Sequence, residues 1–77
     1  MTKHRITTAT IWFDNNTLNY YAESNKVKQV KYNEIDQVSL FESVIHIVHG
    51  CYVIVYKAEE MELRIIATKL RLNGVDV

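Results

Sequence analysis

The sequence has no proline, two glycines and one cysteine in 77 residues. A single cysteine excludes a disulfide within the chain, and a lone thiol is typical of a reducing compartment, so we expect a cytoplasmic protein. A chain of this length holds one domain, spanning residues 1–77, and buries only about 60% of its unfolded surface. Small domains of this kind commonly depend on a disulfide, a metal or a partner subunit for stability.

An excess of charge of one sign is also lacking, because nine basic residues balance nine acidic ones. A zero formal charge argues against a protein that binds nucleic acid mainly by neutralising phosphates. The basic residues 1–5 are followed by a mixed polar pattern, not by the roughly 7–15 apolar residues of a signal peptide. No uncharged run of about 18 residues is present, so we expect no membrane span.

What the sequence does contain is alternation of apolar and polar residues, which predicts β-hairpins. The first hairpin turns at residues 15–16, which pairs Phe13 with Leu18 and Ile11 with Tyr20. Further turns are predicted at residues 24–26 and 33–36, one hairpin turns at His49-Gly50, and a last one turns at Asn73-Gly74. The predicted strands are residues 6–13, 18–23, 27–32, 37–41, 44–48 and 51–57.

Residues 61–67 fit either a strand or a helix. As a helix they place Met61, Ile65 and Leu72 nearly opposite a second apolar group, which makes a poor amphipathic pattern. We therefore predict a strand, with a helix ending at Asn73-Gly74 as the alternative. The expected fold is all-β, a small antiparallel barrel or strongly curved sheet of about six to seven strands built from hairpins. A short C-terminal helix in place of the last strands is the alternative.

The segment 30–38, VKYNEIDQV, followed by two hairpins, resembles the early strands of bacterial pleckstrin-homology-like domains. Those domains carry a hydrophobic-x-Tyr-x-x-Ile-x-x-Val signature that leads into a strand. The resemblance covers residues 6–68 and implies a small curved sheet or barrel. The sequence is expected to depart from that family by lacking the long C-terminal helix that closes one open end of its barrel. Members of the superfold bind lipids, peptides or proteins, so a lipid- or ligand-binding barrel is one functional alternative.

His46, His49 and Cys51 are the residues that suggest a metal site or a nucleophile. Zinc needs about four converging ligands, and a Cys–His pair needs a third group to orient it. The predicted hairpin turns His49 away from the other two, and no glycine-rich phosphate loop or nucleophile elbow is present. We predict no metal, no cofactor and no enzymatic activity.

A nucleic-acid-binding small β-barrel is a second alternative, with Lys26, Lys28, Lys31 and Tyr32 as its contact residues. Lysines can contact phosphates and aromatic rings can stack on bases. Lysines on an edge strand also have a simpler role, because they block pairing between sheets. With no net charge to support it, we rank nucleic acid below protein as the partner.

The hairpin of residues 44–56 is apolar on both faces and contains no formal charge. One face carries an apolar set that alternates with a second apolar set, whereas antiparallel sheets usually have one polar face. This first set is Val44, His46, Val48, Cys51, Val53 and Val55. Burying one Val or Ile gains about 1.5–3 kcal/mol, so we expect both faces to be covered, one of them by a partner or a second copy. The alternative is that the C-terminal residues fold over it. We predict a non-enzymatic protein-binding module, an inhibitor or adaptor of the kind that phages and mobile elements encode, acting as a homo-oligomer. Its predicted interface is Trp12, Tyr21, Ile45, Ile47, Tyr52, Ile54 and Tyr56.

Overall fold

The computed structural model describes residues 4–22 and 26–77. Residue 23 of the predicted strand 18–23 and residues 24 and 25 of the turn predicted at 24–26 lie outside these ranges. The described residues form seven strands, a 3₁₀ turn and one helix. In chain order these are β1 (His4–Thr8), β2 (Ile11–Phe13), β3 (Thr17–Tyr21), β4 (Val27–Lys31), the 3₁₀ turn (Tyr32–Glu34), β5 (Gln37–Leu40), β6 (Val44–His49), β7 (Tyr52–Lys57) and α1 (Glu60–Leu72).

The strands form two sheets, one with the order β1-β7-β6-β5 and one with the order β2-β3-β4. The β1–β7 pair is parallel and the other pairs are antiparallel. The predicted β-rich, mainly antiparallel fold is therefore confirmed, although the described residues form two sheets and no closed barrel is seen among them.

The predicted strand 6–13 is divided between the two sheets, as β1 and β2. At the division the Thr8 hydroxyl donates to the Thr10 carbonyl at 3.0 Å and accepts from the Thr10 amide at 3.3 Å. Such local bonds occupy backbone groups that would otherwise join a strand ladder. They allow the chain to leave the first sheet and enter the second.

The register of the β2–β3 hairpin is confirmed, with Phe13 opposite Leu18 and Ile11 opposite Tyr20. The β6–β7 turn lies one residue further along than predicted, because His49 pairs with Tyr52 and the loop is residues 50–51. Gly50 has a φ of +57°, a conformation that glycine adopts without steric cost. The shift preserves the predicted faces, since residues on the two strands still alternate from side to side.

The strand predicted for residues 61–67 is wrong, and the alternative helix is correct. α1 carries Glu60 and Glu62 in its first turn and basic residues in its last, which suits the helix dipole. It ends in a Schellman motif, in which the Val75 amide donates to the Leu70 carbonyl and the Gly74 amide donates to the Arg71 carbonyl. The chain therefore does possess a C-terminal helix.

One hydrophobic core lies between the inner faces of the two sheets and the inner side of α1. Leu18 and Tyr20 enter it from the three-stranded sheet. The remaining members of the core are Ile6, Val30, Tyr32, Val38, Ile45, Ile47, Ile54, Tyr56, Leu63, Ile66, Leu70 and Val75.

No helix in the described part of the chain is long and apolar enough to cross a bilayer.

Candidate functional site

The inner face of the β6–β7 ribbon belongs to the protein's own core. Ile45, Ile47 and Ile54 are completely buried, Tyr56 is buried at 8% exposure, and Tyr52 is half-buried against the same cluster. The sequence prediction placed a partner contact on these five residues. Burial corrects that assignment for the three isoleucines and Tyr56, which a partner could reach only by displacing α1 or the second sheet. Tyr52 is half-buried and lines a surface cavity with Lys28.

Tyr56 also ties the ribbon to the helix. Its hydroxyl donates a hydrogen bond to Glu62 Oε1 at 3.0 Å. Burial, followed by the bond and the charge of Glu62, raises the pKa of Tyr56 above its usual value. The C-terminal helix therefore packs on the inner face of the ribbon. The alternative prediction placed the C-terminal residues over the second face, where Val44, Val48 and Val53 are only half-buried.

The opposite face of the ribbon, which we call the outer sheet face, consists of Val44, His46, Val48, Val53 and Val55 together with Phe41. Val48 lies directly across from Val53, and His46 from Val55. None of the four valines belongs to the core cluster. All except Val55 are only half-buried.

Phe41 extends this outer sheet face at the β5–β6 connection. Its ring contacts the His46 ring edge-on, with centroids 5.0 Å apart, and 58% of its surface is exposed. The formal charges on this side of the sheet stand at its margins, where Arg5 is next to Val53 and Lys57 is next to Val44. The result is a neutral apolar strip with basic residues at its border and with Thr7, Gln37 and Ser39 beside it on the neighbouring strands.

Trp12 and Tyr21, the other two predicted interface residues, lie on the outer side of the three-stranded sheet. Their ring centroids are 5.2 Å apart, and Tyr21 is 42% exposed. Asn19, opposite Trp12 on the neighbouring strand, is fully buried and donates to Asp14 Oδ2 at 2.8 Å. The structure thus brings the two rings together, but on a different sheet from the ribbon with which the prediction grouped them.

The outer side of α1 is a surface that the interface prediction missed. Met61 is 78% exposed, Ile65 55% and Leu72 81%. The sequence did contain a signal for this surface, because the segment has two groups of apolar residues on opposite sides when it is drawn as a helix. One of the groups packs into the core and the other faces outward.

The predicted nucleic-acid residues do not form one surface. Lys26 and Lys28 line a cavity of about 300 Å³ with His4 and Tyr52, and Lys28 Nζ lies 4.3 Å from the centroid of the Tyr52 ring. Lys31 lies three residues further along β4 and therefore projects from the other face of the strand.

Tyr32, the aromatic member of that set, is buried. Its hydroxyl donates to the Asp14 carbonyl at 2.7 Å, and burial raises its pKa. A ring held in this way is not presented for stacking on a base. The four residues therefore lack the arrangement that the alternative requires.

The histidines and the cysteine are separated as well. His49 lies on the inner side, with Nε2 3.2 Å from the Tyr20 hydroxyl and its ring stacked on Tyr52. Burial, followed by the charge of Lys28, lowers the pKa of His49. His46 lies on the outer sheet face, and Cys51 is exposed in the turn. Within residues 4–22 and 26–77 no three potential metal ligands come together.

No family model, curated protein or solved structure matches this chain. Its function must therefore be inferred from the chemistry of its own surfaces.

Proposed function

We propose that this chain is a non-enzymatic protein-binding module that uses the outer sheet face. The observation that carries the proposal is the neutral apolar area around Val48 and Val53, with Phe41 beside it exposed over 58% of its surface. Contiguous exposed apolar patches on small proteins commonly mark interaction sites. An exposed aromatic ring is also the kind of anchor that contributes most to binding energy.

The border of the face indicates the chemistry of the partner. Arg5 and Lys57 are the charged side chains that pair alongside its valines. A complementary surface is therefore apolar at its centre and carries carboxylates at its edge. Such a border affects the association rate and the choice of partner more than the affinity.

The resemblance to bacterial pleckstrin-homology-like domains is compatible with this proposal. Two sheets followed by a C-terminal helix support membership of that superfold, whose members use different surfaces for different partners. We retain the family as a proposal about ancestry and infer the binding mode from the surface.

The test compares affinity capture from cell lysate by the wild-type protein and by a Val53→Lys variant. Val53 is half-buried on the outer side, so the lysine ammonium can reach water and the fold is expected to persist. Gln29→Lys is the matched control, because it adds the same charge to an exposed position on the other sheet. Nuclease treatment of the lysate removes capture through nucleic acid.

We expect a protein that is retained by the wild type and by Gln29→Lys but lost with Val53→Lys. With the purified partner, the dissociation constant should rise more than about 30-fold, which corresponds to a loss of about 2 kcal/mol. Capture that survives about 1 M salt would agree with an apolar contact. If every captured protein binds Val53→Lys as well as wild type, the outer sheet face is not the binding surface.

A further inference from the structure

The outer side of α1 carries a second apolar surface, distinct from the outer sheet face. It consists of Met61, Ile65, Thr68 and Leu72, which we call the helix stripe. It lies opposite the buried side of the same helix, and its three large residues are between 55% and 81% exposed. A helix that is apolar on two opposite sides normally has both sides covered.

The spacing of the helix stripe is that of a helix-pairing seam. Steps of four, three and four residues separate its members, as at the core positions of a coiled coil. Thr68, the one polar member, donates its hydroxyl to the Arg64 carbonyl at 2.9 Å. Its donor is therefore satisfied within the helix, and its methyl group is free to pack.

The stripe is complementary to itself when two helices run antiparallel. About a two-fold axis near the middle of the helix, Met61 faces Leu72 of the partner subunit, and Ile65 faces Thr68 of the partner subunit. At the centre of the contact, the larger side chain of Ile65 therefore packs against the smaller side chain of Thr68 from the other copy. Because a two-fold contact is formed by the same patch on both copies, each of these residue pairs occurs twice in the dimer.

The charges beside the stripe distinguish the two orientations. In an antiparallel pair Glu62, which also accepts the Tyr56 hydrogen bond, lies opposite Lys69 of the partner subunit, and the symmetry repeats this attraction. On the other flank Arg64 approaches Arg71 of the partner subunit, but Arg64 already binds Glu60 at 2.8 Å, which offsets that repulsion. In a parallel pair Arg64 would face Lys69 of the partner subunit on both flanks, with no attraction to compensate.

We propose that the helix stripe is a self-association surface, occupied by α1 of a second copy in the antiparallel orientation. A helix of 13 residues is about 20 Å long. The contact therefore falls among the smaller interfaces, below about 1,200 Å² in total, and the dimer is weak and reversible. No residue of the outer sheet face belongs to the helix stripe, although Phe41 lines a cavity with Glu60 and Arg64. The dimer therefore presents two identical sets of outer valines and gains avidity for a multivalent partner.

Sedimentation equilibrium of the full chain tests the surface. The apparent mass should rise from 9.0 kDa towards twice that value as concentration increases. Ile65→Glu should weaken self-association at least tenfold, whereas Gln29→Glu, an equal charge away from α1, should not. A wild-type protein that stays at 9.0 kDa up to about 1 mM, or an Ile65→Glu variant that dimerises normally, would overturn the proposal.

A charge exchange at low salt tests the orientation. Glu62→Lys and Lys69→Glu chains should each associate less than wild type, because each creates two like-charge pairs across the antiparallel contact. Mixing the two variants restores both attractions and should restore the dimer, with circular dichroism confirming that each variant is folded. No recovery on mixing would exclude the antiparallel arrangement.

Val53→Lys separates this inference from the proposed function. It should leave self-association unchanged, because the outer sheet face takes no part in the helix contact. If Val53→Lys abolishes dimerisation and Ile65→Glu does not, the second copy occupies the sheet and the helix stripe is not the surface.

Discussion

Ile54 and Val53 are neighbours in β7 that project from opposite faces, and truncating each to alanine shows which face is the core. Ile54 is completely buried, with Ile6 beside it on β1 and Ile47 beside it on β6. Ile54→Ala removes three carbons, worth about 0.8 kcal/mol each, and leaves a cavity as well. The expected loss of unfolding free energy is about 3–4 kcal/mol, within the range for Ile→Ala in cores.

Val53 is half-buried and outside the core cluster. Val53→Ala removes two carbons that are already partly in water, so the expected loss is below about 1 kcal/mol. The two variants should therefore differ by about 2 kcal/mol or more, which for a domain of this size is roughly 8–16 °C in the melting temperature.

Urea unfolding followed by circular dichroism measures both values, with an unchanged dependence on urea showing that the compactness of the two states is the same. The whole domain is expected to be stable by roughly 4–12 kcal/mol, so Ile54→Ala is at risk of unfolding. Ile54→Val, with an expected cost of about 0.5–1.5 kcal/mol, keeps the comparison measurable. Equal losses for Val53→Ala and Ile54→Ala would refute the assignment of one buried and one open face.

Three further predictions concern pH and the end of the helix. Burial raises the pKa of Tyr20, Tyr32 and Tyr56, so the folded state holds those protons more tightly and stability should fall as pH rises above about 10. The midpoint of urea unfolding can be measured from pH 8.5 to 10.5, and a midpoint that stays constant over this range would contradict the prediction. Because the pKa of His49 is lowered in the folded state, the His49 imidazole of the unfolded chain is protonated at a higher pH than that of the folded chain. Stability should therefore fall as the pH decreases below about 6.5, and His49→Gln should make this fall in stability smaller. Gly74 has a φ of +86°, so Gly74→Ala should cost about 1 kcal/mol in thermal or urea unfolding, and no loss would contradict the role of the helix end.

The strands and the faces of the hairpins were predictable from the sequence because side chains on a strand alternate with a period of two. Residues 44–57 therefore divided correctly into two sets. Periodicity cannot tell which set faces inward, since turning the strand over leaves the pattern unchanged. The signal that distinguishes them is size: the inner set contains Ile45, Ile47 and Ile54, and the outer set contains valines.

The helix was ranked second to a strand because two opposite faces of α1 are apolar. Alternate residues from Met61 to Ala67 are also apolar, so this segment matches a strand as well as a helix. The distribution of charge was the better guide, with acidic residues early and basic residues late, followed by Asn73-Gly74. Neither surface proposed for binding could be located until the place of this helix was known.

The parallel pairing of β1 with β7 places residue 4 beside residue 52. During synthesis β1 leaves the ribosome before the other strands, yet β7, its neighbour in the sheet, is made only after β2 to β6 have emerged. We therefore expect the β6–β7 hairpin to form locally and β1 to dock late, as the step that closes the largest chain loop. Until it docks, β7 is an edge with unpaired backbone groups, so the nascent domain passes through a stage that is open to strand exchange with other chains.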